Sequence, residues 1–343
     1  MNVIKKLFYN IILGKRADVI FTNNNKITSI YKSSGSEKII SFGKMHPDKY
    51  FYVIKRSPGA GFFSNLSFVL CNLKIAYDKK FIPIIDMENF TTWYNEKEKI
   101  DGSYNSWNYF FENINNYSLE EVYKSKNVIF SNNEYPAGMP MSPSKSKELV
   151  KIFNENIFVK KNILKIYDNF YKNYIFGRKV LGVHFRGCDL KSYRGHPFPA
   201  TSKQMINICK KLIHEYDLIF LSTEEKKYQD IFFKEFKNKV ICFNSYRSYK
   251  NAYLYYPRKN HRYLLGRDIL IESMLLSSCD NFIFTNSNVS EAAKIFSINK
   301  NLELYEIKNG RNSNNILVSR WLWFYKSIAP VFLGGFDKFG ANK

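Results

Sequence analysis

Acidic residues are scarce in this 343-residue chain: 30 Asp and Glu face 52 Lys and Arg, a formal net charge of +22. Such a surplus draws a protein toward an anionic substrate, an anionic membrane face or nucleic acid, and a bias toward Lys, Asn and Ile in the coding sequence produces the same number. Charge speaks to association and not to fold. The motifs of a nucleic-acid reader are missing, with no RNP aromatic pattern, no GXXG loop and no zinc finger, so no nucleic-acid partner is expected. Cysteine is sparse and scattered: Cys71, Cys188, Cys209, Cys242 and Cys279 form no C-x-x-C pair, and no histidine stands at metal spacing. An odd count without short spacings argues for a reducing compartment and against structural zinc. No Asp-x-Asp ends a strand to chelate a divalent ion under a diphosphate, so neither metal nor cofactor is expected. Apolar runs are short as well. Within Asn2–Gly14 the stretch LFYNIILG is too brief to span a bilayer and has no small-residue cleavage site before Lys15 and Arg16, which predicts a first helix rather than a signal peptide. The expectation is a cytoplasmic protein, at most peripheral on the inner face of the plasma membrane.

What is present describes a globular α/β chain. With 45% hydrophobic and 17% aromatic residues it can bury large cores, and its length exceeds what one core usually serves. Strand patterns alternate with helical ones on both sides of the lysine-rich stretch Ser142–Arg178, predicting two doubly wound Rossmann-like domains, residues 1–175 and 176–343, facing each other across a cleft. In the first, Tyr52–Ile54 reads as a strand that runs into SPGAGFFSN. Gly59 and Gly61 there allow a tight turn and close approach of a ligand to the backbone. Ser64 occupies the third glycine position of a dinucleotide fingerprint, so that reading fails. Leu66, Val69, Leu70, Leu73 and Ala76 make a helical stripe, and FIPIIDMEN is a strand ending at Asp86.

The second half carries the chemistry. In GVHFRGCDLKS, an apolar strand with Gly182 for close packing releases His184, Arg186 and Asp189 onto a loop, and open α/β sheets bind ligands at such carboxyl ends. A guanidinium fork there suits a phosphate or pyrophosphate. DLIFLSTEE is a second buried strand, delivering Thr223, Glu224 and Glu225. The third segment, Asp268–Phe296, reads as a helix, a strand from Asn281 to Thr285, and a turn through Ser287 into another helix. Asn288 is its expected N-cap, with Glu291 three residues on. Unpaired N–H groups and the helix dipole make that turn an anion site.

These three segments, in this order, resemble the motifs of the fucosyltransferase superfamily that includes the alpha-1,2, alpha-1,6, nodulation and protein O-fucosyltransferases. His184, Arg186 and Asp189 match its His-x-Arg-x-x-Asp signature; Glu224 stands where the family has Asp after a threonine; Cys279, Asp280, Thr285, Ser287 and Ser290 match its closing motif. The resemblance implies the two-domain GT-B arrangement, with an acceptor-side domain first and a donor domain second, and metal-independent, inverting transfer from a GDP-sugar. It implies that His184 orients the nucleotide, that Thr223 and Glu224 serve the guanine, that Arg186, Thr285, Ser287 and Asn288 hold the diphosphate, and that Gly59, Gly61 and Asp86 belong to the glycine-rich loop region of the first domain. The donor sugar expected is fucose, and the partner a glycan or lipid-linked glycan acceptor of bacterial surface polysaccharide synthesis, with an anionic membrane as a further surface.

Several points stay open in the sequence. Asp189, Asp86 and His196 are each candidates for the general base. Thr201 and Gln204 form a capping box, so the loop Leu190–Ala200 is pinned at its far end and is a candidate lid. The aromatic-basic stretch Ser319–Phe336 reads first as a core-packing helix and second as a membrane-interface element. Transfer of another GDP-sugar, such as a 6-deoxyheptose, and a non-catalytic basic nucleic-acid or membrane binder are the alternatives.

Overall fold

This computed structural model describes residues 27–30, 37–140, 142–249, 252, 256–297 and 302–338, without the side chains of Cys188 and Asp189. The expected first helix in Asn2–Gly14 lies outside the described residues.

The chain divides into Met1–Ile163 with Leu254–Arg267, and Leu164–Tyr253 with Asp268–Lys343. The sequence reading put the change at residue 175. It falls earlier because Tyr167 and Phe170 already pack in the second unit: the Tyr167 hydroxyl lies 2.7 Å from Ser278 Oγ, and the Phe170 ring meets Phe220 and Phe243 at 5.9 and 5.5 Å.

In the first unit β1 (Ile39–Ile40), β2 (Met45–Ile54), β3 (Ile82–Ile85) and β4 (Ser125–Phe130) form a sheet of order β1-β4-β2-β3. β2 runs parallel to β3 and β4, and the two-residue edge strand β1 is antiparallel, an edge that doubly wound sheets commonly carry. The end of β2, from Phe51 to Ile54, is buried on both faces, as expected for a central parallel strand. Between β2 and β3 runs α1 (Phe62–Asp78), which buries its expected stripe and also Phe62, Phe63, Phe68, Cys71 and Asn72. The unit is completed by α2 (Leu119–Val122), α3 (Lys147–Asn156) and the start of α4 (Lys161–Phe170).

The second unit is wholly parallel. β5 (Val180–His184), α5 (Ser202–Leu212), β6 (Leu218–Ser222), α6 (Lys226–Phe236), β7 (Val240–Ile241), α7 (His261–Leu276), β8 (Asn281–Phe284), α8 (Asn288–Phe296), β9 (Glu303–Glu306) and α9 (Ile316–Ile328) follow along the chain, the first turns of α7 belonging to the first unit. The strand order is β7-β6-β5-β8-β9. The chain builds outward from β5 on one side, returns, and builds on the other, so a topological switch point lies between β5 and β8. Gly182 is needed in β5, because a Cβ there would sit 3.1 Å from Asn281 O and from Cys279 Sγ. Leu181, Val183, Ile219, Leu221 and Ile283 form the core with Phe185, Met205 and Phe232 from the loops and helices around them.

Residues 254–267 join the first unit through a carboxylate. Glu96 Oε1 accepts from the amides of Arg262 (2.7 Å) and Tyr263 (3.0 Å) in the first turn of α7, and Oε2 accepts from the Tyr256 hydroxyl. An acid there answers both the orphan N–H groups and the positive end of the helix dipole.

α9 differs from its first expectation as a core helix. Of its residues only Ser319 is buried; Leu322 and Trp323 are half-buried, and the apolar stripe faces out.

Candidate active site

The second unit gathers its polar residues at the carboxyl edge of the sheet. In β5 and β6, His184 pairs with Ser222, and the pairing continues past the strand end as the Phe185 amide donates to Ser222 O at 2.9 Å. Phe185 is fully buried and stacks on Tyr228, ring centroids 3.7 Å apart. Side chains alternate along an extended chain, so anchoring Phe185 inward turns Arg186 out. Arg186 meets Glu224 from the neighbouring strand end, Nε to Oε1 at 3.5 Å, with the two side chains 26% and 30% exposed. The sequence reading gave these residues to opposite ends of a nucleotide; the structure makes them an ion pair. Thr223 beside them is buried, and its hydroxyl accepts from the Glu225 amide at 3.3 Å.

Glu225 lies just ahead of α6, and its carboxylate pairs with Lys191 at 3.5 Å, while Lys191 also lies over the Tyr228 and Trp323 rings. This packing leaves no room at Gly187: a Cβ would run into Glu225 Oε1 and the Tyr228 hydroxyl and come within 2.7 Å of Tyr228 Cε2. The stacked Tyr228 ring cannot yield easily, so Gly187→Ala is expected to cost about 1–3 kcal/mol, as overpacking typically does. Urea unfolding checks this value, and a stable, unshifted variant would show that the loop tolerates a side chain.

On the other side of β5, β8 delivers Thr285, buried, and then the N-terminus of α8. The N-cap is Ser287, not Asn288. Ser287 is extended (φ −161°, ψ 164°), its hydroxyl accepts from the Ser290 amide at 3.2 Å, and Ser290 Oγ accepts from the Ser287 amide at 2.9 Å. Ser287 and Asn288 are both good capping types; with Ser287 as the cap, the third helical position that closes the box is Ser290, and Glu291, buried, pairs instead with Lys294 at 2.8 Å.

Behind β6 lies a buried ionic network that sequence reading missed. Glu272 of α7 accepts from Ser222 Oγ (2.6 Å), Ser245 Oγ (2.5 Å) and Arg247 Nη2 (3.1 Å). Glu272 and Arg247 are only 7% and 5% exposed, and burial pushes the Glu272 carboxyl up against the opposing pull of Arg247. The signal available was a glutamate in the run ILIESMLL, apolar apart from it and Ser273.

His184 is buried at the end of β5, and its Nδ1 has no hydrogen-bond partner. Burial, aided by the Arg186 charge, lowers its pKa from 6.5 to about 3, so it is neutral wherever the protein is folded near neutrality. Below about pH 6.5 the unfolded chain takes up a proton that the folded one refuses, so stability falls as pH drops from 6.5 toward 3. The full term is on the order of 5 kcal/mol. Unfolding midpoints between pH 4 and 7 are expected to slope less in His184→Asn than in the parent; parallel slopes would remove His184 as the cause.

The remaining sequence candidates lie on other segments of the chain. Gly59, Gly61 and Asp86 belong to the first unit. Gly59 has φ +74°, and a Cβ on it would press on Asn65 Oδ1 at 2.8 Å, whereas Gly61 has open space and starts α1 without a side-chain cap. Asp86 is fully buried, accepting from the Glu88 and Asn89 amides (3.1 and 2.8 Å), Asn89 Nδ2 (2.9 Å) and the Tyr123 hydroxyl (2.6 Å). It holds its own turn together. Nearby Lys55, at the end of β2, is fully buried, bonds Asn133 at 2.8 Å, and is lowered by burial to about 8; a lysine at a strand end before a glycine loop was the overlooked signal. A cavity of about 230 Å³ beside edge strand β3 is lined by Glu88, Asn105, Asn108, Asn113, Asn115 and Tyr117, with Asn108 Oδ1 buried and without a hydrogen-bond partner.

His196 is exposed, its ring 5.1 Å from that of Tyr193. The expected lid is tied down along its length: Gly195 N bonds Ser313 O, His196 O accepts from Asn312 N, Phe198 N bonds Gly310 O, and Pro199 O accepts from Asn309 and Trp323. Residues 195–199 are thereby fastened to residues 309–313 and to Trp323. The Asp189 side chain lies outside the described residues. Among the described residues no group of three or more His, Cys, Asp or Glu is arranged to hold a metal ion.

No family model and no curated protein matches this sequence. Solved structures do match in three dimensions, two of them NodZ enzymes. A NodZ alpha-1,6-fucosyltransferase co-crystallized with GDP is 17% identical, with a TM-score of 0.50 over 76% of this chain and 96% of its own. The fucosyltransferase NodZ from Bradyrhizobium is 16% identical, with a TM-score of 0.51 over 78% of this chain and all of its own. The chain shares the NodZ fold. At this level of identity the likeness speaks for the α/β architecture, and the residues above carry the argument about chemistry.

Proposed function

We propose that the protein is a glycosyltransferase that takes a sugar, fucose first among the candidates, from a GDP-sugar and delivers it with inversion to a glycan hydroxyl. One observation carries the reading: Arg186, Glu224 and the α8 N-terminus at Ser287 stand on three adjacent strand ends at the switch point of one parallel sheet. A nucleoside diphosphate offers that edge a matching pattern, with phosphate oxygens for Arg186 and the helix amides, and a guanine donor pair for a carboxylate. The GDP held by a NodZ of the same fold supports the choice of nucleotide.

In the reaction, the acceptor oxygen attacks the anomeric carbon while the bond from that carbon to the β-phosphate oxygen breaks, and the electron pair leaves with GDP. Positive charge grows on the sugar and negative charge on the diphosphate. Arg186, Thr285, Ser287 and the amides of α8 stabilise the departing charge, and groups aimed at developing charge contribute most to rate. They supply in this proposal the positive potential that a divalent ion gives other transferases. The acceptor proton goes to a base. Asp86 spends its carboxylate on three hydrogen bonds within its own turn and one from the Tyr123 hydroxyl, which leaves Asp189 as the base proposed and His196 as its rival. The acceptor proposed is a capsule, lipopolysaccharide or lipid-linked glycan, for which the basic surface is favourable.

Thermal shift against GDP, UDP, ADP and CDP tests the nucleotide, and mass spectrometry of products from GDP-fucose, GDP-mannose and a GDP-6-deoxyheptose tests the sugar. Stabilisation by GDP alone, by about 2.7 kcal/mol at a hundredfold excess over Kd, is expected. Indifference to every nucleotide, together with tight and strongly salt-dependent RNA binding, would overturn it.

A further inference from the structure

α9 presents a surface that the transfer reaction does not use. Leu317, Trp321, Phe324 and Ile328 are spaced four, three and four residues apart and so share one stripe of the helix. They are 69%, 72%, 48% and 82% exposed, and the following turn adds Val331, Phe332 and Leu333 at 59%, 85% and 54%. A helix on a water-soluble domain ordinarily turns such a stripe inward. Here the reverse side does the packing, through buried Ser319 and through Trp323 Nε1, which donates to Pro199 O at 2.9 Å. The apolar turn is held in place by its own hydrogen bonds: the Tyr325 hydroxyl donates to Leu333 O at 2.8 Å, Lys326 Nζ to Gly334 O at 2.9 Å, and the Phe336 amide to Lys326 O at 2.8 Å.

The surrounding charge says what covers this face. Between Lys308 and Lys338 the chain carries Lys308, Arg311, Arg320, Lys326 and Lys338 against one acid, Asp337. A second copy docking through the same patch would set these bases against themselves, because a two-fold interface is self-complementary. An anionic bilayer instead offers acyl chains to the stripe, an interface to Trp321 and Tyr325, and phosphates to the bases. We propose that α9 and the Val331–Leu333 turn seat the protein on an anionic lipid membrane. The inference stands independently of the transferase reading. It has a consequence for the loop after Arg186: Trp323, on the packed side of α9, holds Pro199 and lies under Lys191, so seating α9 fixes that loop relative to the lipid surface.

Flotation with vesicles of phosphatidylcholine alone, and of phosphatidylcholine mixed with phosphatidylglycerol, tests this on the full chain. The protein is expected to float with the mixed vesicles only. Trp321→Ser combined with Phe332→Ser should reduce the bound fraction about tenfold or more, and Arg320→Gln about fivefold, each without changing the melting temperature. Equal binding by the double variant, no binding by the parent, or light scattering that reveals a dimer which the double variant dissolves would each overturn the proposal. The last outcome would assign the face to a second copy.

Discussion

Arg186→Ala is expected to lose the stabilisation by GDP and to lower kcat/KM by about a hundredfold to a thousandfold, the cost of removing one well-placed donor to a developing oxyanion. Arg186→Lys should recover little, since an ammonium is a point charge and the site calls for a planar fork. The ion pair with Glu224 makes a second measurement informative. Glu224→Gln removes the partner of Arg186 and converts the acceptor pair to a mixed amide, so it should weaken GDP, whose guanine supplies the donor pair, and leave the indifference to UDP unchanged. If Arg186→Ala kept its response to GDP, the diphosphate would have to be held elsewhere, and the proposed function would fail with it.

The largest effect on stability is expected at Glu272. Glu272→Ala would strand the Arg247 guanidinium, 5% exposed, together with the Ser222 and Ser245 hydroxyls that now donate to the carboxylate. Breaking a buried ion pair by removing one partner costs about 3–5 kcal/mol, far more than the net worth of the pair. Replacing both partners, as in Glu272→Leu with Arg247→Met, should recover much of that loss, because an apolar pair of similar volume needs no desolvation of charge. Urea unfolding of the two single variants and the double variant measures the coupling. A single variant within about 1 kcal/mol of the parent would mean that water or local rearrangement compensates Arg247, as at an exposed pair.

The sequence disclosed features that are set within one segment. β5, the loop with Arg186, the capping box of Thr201 and Gln204, and the buried stripe of α1 all came from spacing and residue type, because each is fixed by local periodicity or by a side chain bonding its own turn. Features assembled from distant segments were not legible. Glu272 reaches a strand end fifty residues earlier in the chain, Lys55 is buried by a loop carrying Asn133, and the supposed lid is fastened by residues 309–313, none of which leaves a periodic trace. Other misses were choices between neighbours. Ser287 and Asn288 are both capping residues, and only the backbone, extended at Ser287 and helical from Asn288, distinguishes them. The aromatic-basic stretch that forms most of α9 was visible in the sequence, but its composition does not state which medium the helix faces.

The Arg186–Glu224 contact also bears on how selective the crevice can be. Each charge already has the other as its counterweight, so a simple inorganic anion that lures Arg186 away abandons a carboxylate in a partly dry setting, and a lone base edge does the same to the guanidinium. Only a molecule bearing a negative tail and a hydrogen-donating head in one frame settles both debts of charge at once, and discrimination then arises from what half-matching visitors leave behind.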